Sequence, residues 1–212
     1  MALVIGTNCG FVTAAPTTDP DSGWYEPLDT YTTSAKFTSP AGAVKITEIG
    51  WWIGNATEAA DFEMGVYDHN GGTDRPHNLL YGTSATAKGT SGGIWKSISV
   101  DWEIDASTVY WLALQLDNTA TGTNTDWKSG EGRWAWDNNT TTLPDPFSVT
   151  SLGERLMAIY AVYEAEETGT NISLNVGDDF KDADEMELNI GDVWKNVEEV
   201  KINVGDDWKD VF

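Results

Sequence analysis

Val109-Tyr110-Trp111-Leu112-Ala113-Leu114-Gln115-Leu116 is the stretch on which the fold turns. Successive side chains of a strand point to opposite sides, so Tyr110, Leu112, Leu114 and Leu116 share one face and Val109, Trp111 and Ala113 the other. Apolar residues on both faces predict a strand buried on both sides. The same period of two recurs around it. Phe62, Met64 and Val66 alternate with Glu63, Gly65 and Tyr67, and Ile94, Lys96, Ile98, Val100, Trp102 and Ile104 alternate with Trp95, Ser97, Ser99, Asp101 and Glu103. Leu156, Ala158, Tyr160 and Val162 against Met157, Ile159, Ala161 and Tyr163 predict one last long strand. Val44 and Ile46 are followed by Ile49, Trp51 and Ile53, a change of phase that predicts a bulge near Thr47 and Glu48.

Turn-rich segments separate these runs: Thr17 to Gly23, Asp68 to Pro76, Lys88 to Gly93, Asn118 to Gly132 and Asp137 to Pro146. Many short strands with polar, Gly-rich connections and almost no helical pattern predict an all-β chain folded as an antiparallel β-sandwich, with a barrel as the other closed solution. The sandwich is expected over residues 1–163. A polar linker follows over 164–171, and a repeat tail over 172–212.

The tail repeats every 14 residues, with Gly177, Gly191 and Gly205 in register and Phe180, Trp194 and Trp208 three positions behind. Lys181, Lys195 and Lys209 follow the aromatics. Met186, Leu188 and Ile190 alternate, as do Val200, Ile202 and Val204, and each run ends in a Gly-Asp turn pair. Each repeat therefore reads as two very short strands joined by a turn. A unit this short cannot bury its own apolar face, which points to stacking and assembly.

The chain has 212 residues, 40% of them apolar, eleven tryptophans and a formal charge of −22. This is a globular composition. The charge argues against nucleic acid, whose phosphates need clustered Lys and Arg, and against an anionic membrane. Neutral glycans, other proteins and divalent cations remain suitable partners. From Glu164 onward there are 15 acidic and 4 basic residues, so the tail is the densest charge and its self-repulsion must be offset by packing, cations or a partner. The single Cys9 excludes an intrachain disulfide. The start, Met1 to Asn8, lacks a basic, apolar leader, and no run approaches the ~20 apolar residues of a membrane helix.

The runs Ile46-Thr-Glu-Ile-Gly-Trp-Trp-Ile, Phe62-Glu-Met-Gly-Val-Tyr-Asp-His, Asn78-Leu-Leu-Tyr-Gly and Thr108-Val-Tyr-Trp-Leu-Ala-Leu-Gln resemble the jelly-roll domains of phage tail-fibre and related virion surface proteins. The resemblance spans Val44 to Leu116 and, more loosely, continues to Tyr163. The Gly-Asp-x-Trp-Lys repeats are similar to short C-terminal repeats on phage structural proteins. The resemblance implies a non-enzymatic, multimeric appendage or decoration protein with glycan-binding capacity. The missing leader beside a surface-type richness in Trp, Thr, Gly and Asn leads to the expectation of a virion assembled inside a cell and extracellular after release. The partners expected are copies of itself, other virion proteins and a cell-surface glycan.

Tryptophan suits glycans because its flat apolar face matches the C–H face of a pyranose. Trp51, Trp102 and Trp111 read as core. Trp95, facing Ser97, Ser99 and Asp101, reads as exposed. Trp127, Trp134 and Trp136 are interleaved with Asp126, Arg133 and Asp137, and a glycan platform there competes with a packed sheet edge or a protein interface. Asp19 with Asp21, Asp68 with Asn70 and Asp117 with Asn118 leave a structural calcium open, without an EF-hand spacing. His69 and His77 read as loop histidines rather than metal ligands. Glu58, Asp61 and Glu63 lack the strand spacing of the hydrolases that share such folds, and no nucleophilic triad is suggested, so no catalytic residue is expected. Cys9 reads as a small buried hydrophobe. A free carbohydrate-binding module or adhesin of a cell surface is the alternative function.

Overall fold

The computed structural model describes residues 2–21, 25–28, 30–56, 58–116, 122–138, 140–166 and four short tail strands at 187–190, 193–196, 201–204 and 207–210. Every regular element among them is a strand: β1 Gly10–Val12, β2 Tyr25–Pro27, β3 Tyr31–Thr38, β4 Ala43–Ile53, β5 Asp61–Asn70, β6 Arg75–Gly82, β7 Thr86–Ala87, β8 Ile94–Glu103, β9 Val109–Leu116, β10 Asn124–Asn138, β11 Ser151–Met157, β12 Ile159–Ala165, β13 Glu187–Ile190, β14 Val193–Asn196, β15 Lys201–Val204 and β16 Asp207–Asp210. The contacts divide the chain into Met1–Glu167 and Thr168–Phe212.

The first unit is a β-sandwich. One sheet has four strands in the order β1-β12-β4-β8, and the other has eight, with the path β11-β10-β3-β9-β5-β6 and with β2 on β10 and β7 on β5. Pairing is antiparallel except for β1 with β12. The core lies between the sheets: Trp51 of β4 meets Phe62 of β5 edge to face at 5.8 Å, and Phe11 of β1 meets Tyr110 of β9 at 6.3 Å. Trp51 and Trp111 are fully buried, as their strand patterns predict. The bulge is present: Ile46 pairs with Trp102 and Glu48 with Ser99, so Thr47 is the extra residue.

The central strand β9 is buried on both faces because the outer face of the large sheet has its own cover. Tyr67, Trp111, Ala113, Ala135 and Phe147 form a second apolar cluster there. The 140–150 segment is tied down over it. Tyr67 Oη donates to Pro144 O at 2.7 Å, Leu143 N to Glu63 Oε2 at 2.7 Å, and Phe147 N to His77 O at 2.8 Å. A stretch that reads as a polar turn therefore closes a second layer of core.

Two expectations are corrected. Leu156 to Tyr163 is not one strand, because the chain leaves the large sheet after Met157 and enters the small one at Ile159. Ala158 is the corner; its N–H donates to Asp126 O at 2.9 Å and its carbonyl accepts from Trp52 N at 3.0 Å, which joins the sheets by hydrogen bonds. Asn124 to Gly132 is not a connection either, but half of the 15-residue strand β10. Between Ser129↔Arg155 and Trp134↔Gly153, β10 spends five steps against two on β11. Gly130 and Gly132, at φ +78° and +74°, supply the left-handed backbone this excursion needs. Glu164 and Ala165 belong to β12, and Glu166 N donates to Gly42 O at 2.6 Å.

On the outer face of the small sheet, Tyr160 lies over Gly50, where an added Cβ would come within 2.5 Å of its ring. An aromatic ring here shields the backbone that a strand glycine leaves bare. At the sheet's edge, β8 carries Lys96 on the core-facing side, paired with Trp51 and flanked by Ile94 and Ile98 on the same face.

The second unit contains two hairpins. β13 and β14 pair from Ile190↔Val193 to Glu187↔Asn196, and β15 and β16 from Val204↔Asp207 to Lys201↔Asp210. Each is a two-stranded sheet in the same register, as the repeat predicts. The first repeat, with Gly177 and Phe180, and the turn glycines Gly191 and Gly205 lie outside the described residues.

Candidate functional site

The tryptophans singled out by sequence are distributed over different surfaces by the sheet pleat. Trp134 and Trp136 share the core side of β10, while Arg133 and Asp137 take the opposite side. Trp134 is 3% exposed and its Nε1 donates to Thr33 Oγ1 at 2.7 Å. The Arg155 guanidinium of β11 lies over the Trp127 ring at 4.1 Å and over the Trp134 ring at 4.3 Å. Trp136 is stacked on Tyr31 at 4.9 Å and tilted against Trp134 at 5.0 Å. The row Trp127, Arg155, Trp134, Trp136, Tyr31 is thus a packed ladder, and Trp134 presents no ring face to solvent. Trp95 belongs to a different place, the outer face of the small sheet. It is half-buried, edge-on to Trp52 at 5.3 Å and to Tyr160 at 5.4 Å, and its Nε1 donates to Thr18 O at 2.9 Å.

Arg133 and Asp137 lie on the outer face of the large sheet with separate partners. Arg133 Nε is 3.0 Å from Asp74 Oδ2, and Lys36 Nζ is 2.7 Å from Asp74 Oδ1. The Lys36 hydrogen bond is the main reason the Asp74 carboxyl is held below its ordinary value. Asp137 is 7% exposed and accepts from Ser148 N at 3.1 Å; burial pushes its carboxyl up.

His69 Nδ1 accepts from Trp111 Nε1 at 3.2 Å and its Nε2 lies 3.9 Å from Asp74, whereas His77 faces Asp68 at 3.8 Å. Asp68 also accepts from Asn78 N and Nδ2, Asp19 Oδ1 from Asp21 N, and Asn70 Oδ1 from Gly72 N. Among the described residues, no three of His, Cys, Asp and Glu converge as a metal would require. Asp117 and Asn118 lie outside those residues. Of the carboxylates near β5, Glu63 binds Leu143 N and Glu58 accepts from Thr123 Oγ1 at 2.7 Å, so they serve separate loops. Cys9 is fully buried, and burial pushes its thiol up to about 12.

Sequence reasoning missed a concavity at the sheet edges. Where β8 edges the small sheet and β6 edges the large one, a cleft of about 630 Å3 opens between them. Tyr81 lines it and lies flat along Trp102, with centroids 5.4 Å apart and planes 10° apart. Val44 and Leu80, at 39% and 43% exposure, are two of the four large apolar residues left bare among the described residues. Glu103 and Asp105 add carboxylates, and Tyr110 Oη accepts from Asp105 N at 3.0 Å. Lys45 also lines the cleft, with its ammonium held by Asp101 at 2.7 Å. The signal for this site was Val44, second in β4, and Leu80, third from the end of β6, apolar side chains that their strands carry without burying.

Fold and site together define an all-β sandwich protein with a hairpin-repeat tail. No known family, curated protein or solved structure matches the chain.

Proposed function

We propose that this chain is a non-enzymatic structural protein of a virus particle, of the tail-fibre or decoration kind. Its hairpin repeats attach it to copies or partners, and its sandwich is displayed and recognises glycans. The observation that carries the attachment is the pair of hairpins in one register, Asn189↔Trp194 in one and Asn203↔Trp208 in the other. A lone two-stranded hairpin is at best marginally stable in water, so repeats of this size gain their stability from what they pack against. The resemblance of the strands from Ile46 to Gln115 to virion jelly-roll domains supports the particle, and the strong negative charge fits a protein that avoids nucleic acid.

Sedimentation of the full chain and of a chain ending at Glu167 tests this reading. The full chain should form an oligomer of defined size, and the shortened chain a monomer that melts at the same temperature. A full chain that stays monomeric across the concentration range removes the assembly role and leaves the free carbohydrate-binding module.

A further inference from the structure

We propose that the cleft between β6 and β8 is the saccharide-binding site of the sandwich, and that it takes a sugar without negative charge, bare amino sugars at least as well as their N-acetylated forms. The inference rests on the reading of the sandwich as the recognising part, and it moves recognition away from the tryptophans of β10.

Four observations carry it. The cleft, at about 630 Å3, falls within the ~300–1,000 Å3 range typical of small-ligand sites. Its wall includes the Tyr81 ring, held in one orientation by stacking on Trp102 behind it, and an aromatic ring so fixed packs against the C–H groups of a sugar. Val44 and Leu80 stay exposed beside it, apolar surface that a bound ring would cover. The polar groups decide the charge. Glu103 and Asp105 are acceptors for hydroxyl or ammonium donors, while Asp101 already engages Lys45, the cleft's cation. A carboxylated or sulfated sugar would meet two like charges and a cation committed elsewhere, in a chain of net charge −22. The aromatics of β10 offer less: Trp134 is 3% exposed, and the Arg155 guanidinium lies over Trp127.

Titration of the full chain with chitosan tetraose, chitin tetraose and an alginate oligosaccharide tests the proposal by calorimetry and tryptophan fluorescence. Binding is expected for the first two, with chitosan tetraose at least equal and weakened by salt, and none for alginate. Tyr81→Ala should weaken binding by about tenfold or more, the scale of a lost aromatic contact. Leu80→Asp, at an exposed position that leaves the core intact, should do the same for chitin tetraose, which carries no charge for the new carboxylate to attract, so a misfolded Tyr81→Ala protein does not end the test. Ile5→Ser, remote from the cleft and 56% exposed, is the control. Binding of neither uncharged nor amino tetramer, preference for alginate, or loss on Trp136→Ala while Tyr81→Ala and Leu80→Asp bind normally overturns the proposal. Sedimentation of the same samples separates the two readings: an oligomer that binds no sugar removes the cleft and keeps the assembly role, and a monomer that binds does the reverse.

Discussion

The sandwich and the tail use the same period-two alternation for opposite ends. In the sandwich, strands far apart in sequence pair across two sheets, and Trp51, Trp111 and Tyr67 are fully buried between or upon them. In the tail, four-residue strands pair only with the neighbour two residues away. The sandwich carries its stability within itself, whereas a hairpin of that size has no interior to bury into. Repetition in sequence thus marks the part with the least interior of its own.

The contrast breaks or sharpens under substitution. Trp111→Ala empties the second core cluster and should lower sandwich stability by about 3–5 kcal/mol, read from denaturant unfolding. An unchanged midpoint would mean that the 140–150 cover is not part of the cooperative unit. Alkaline pH should act next. Cys9 is pushed up to about 12 from 9.0 by burial, and burial also raises Tyr67, Tyr160 and Tyr110. Each protonated group is favoured by the fold, so its contribution is full below the unfolded value and lost as pH rises through the folded one. Stability should fall from about pH 9 upward, by at most about 1.4 kcal/mol per pH unit for each group. Lys88, whose value burial lowers, opposes the trend. Cys9→Ala should make the decline shallower, which an alkaline melting series measures.

Gly50→Ala should cost about 1–3 kcal/mol, because the new Cβ meets the Tyr160 ring at 2.5 Å. Arg155→Ala should cost about 1–2 kcal/mol, by removing a cation held between Trp127 and Trp134. The smallest effect belongs to the tail: Trp194→Ala with Trp208→Ala should leave the melting of the sandwich within about 0.5 kcal/mol while weakening assembly. A large drop in sandwich stability would erase the division between the two regions.

Much of the fold was legible where one local rule decides. Val109 to Leu116 declared a doubly buried strand, and the broken phase after Ile46 declared the bulge at Thr47. The corner at Ala158 was invisible because alternation continues when a strand changes sheet. The first half of β10 was misread because Gly130 and Gly132 look like a turn and are the elbow of a strand. For the site, the chemistry of tryptophan was legible and its direction was not. Trp134 and Arg133 are neighbours in sequence on opposite faces, and Arg155, which organises two of the tryptophans, reaches them only through strand pairing. The cleft depends on which two edges meet, which no single strand records.

Lys96 gives the edge of the small sheet a further meaning. A strand of ten residues with one open side is a template onto which another copy's strand could zip. Lys96 occupies the core-facing row of that strand with Ile94 and Ile98, and an inward-facing charge on an open edge raises the cost of adding a further strand there. A charge in that row therefore works against open-ended growth of the sheet along the β8 edge.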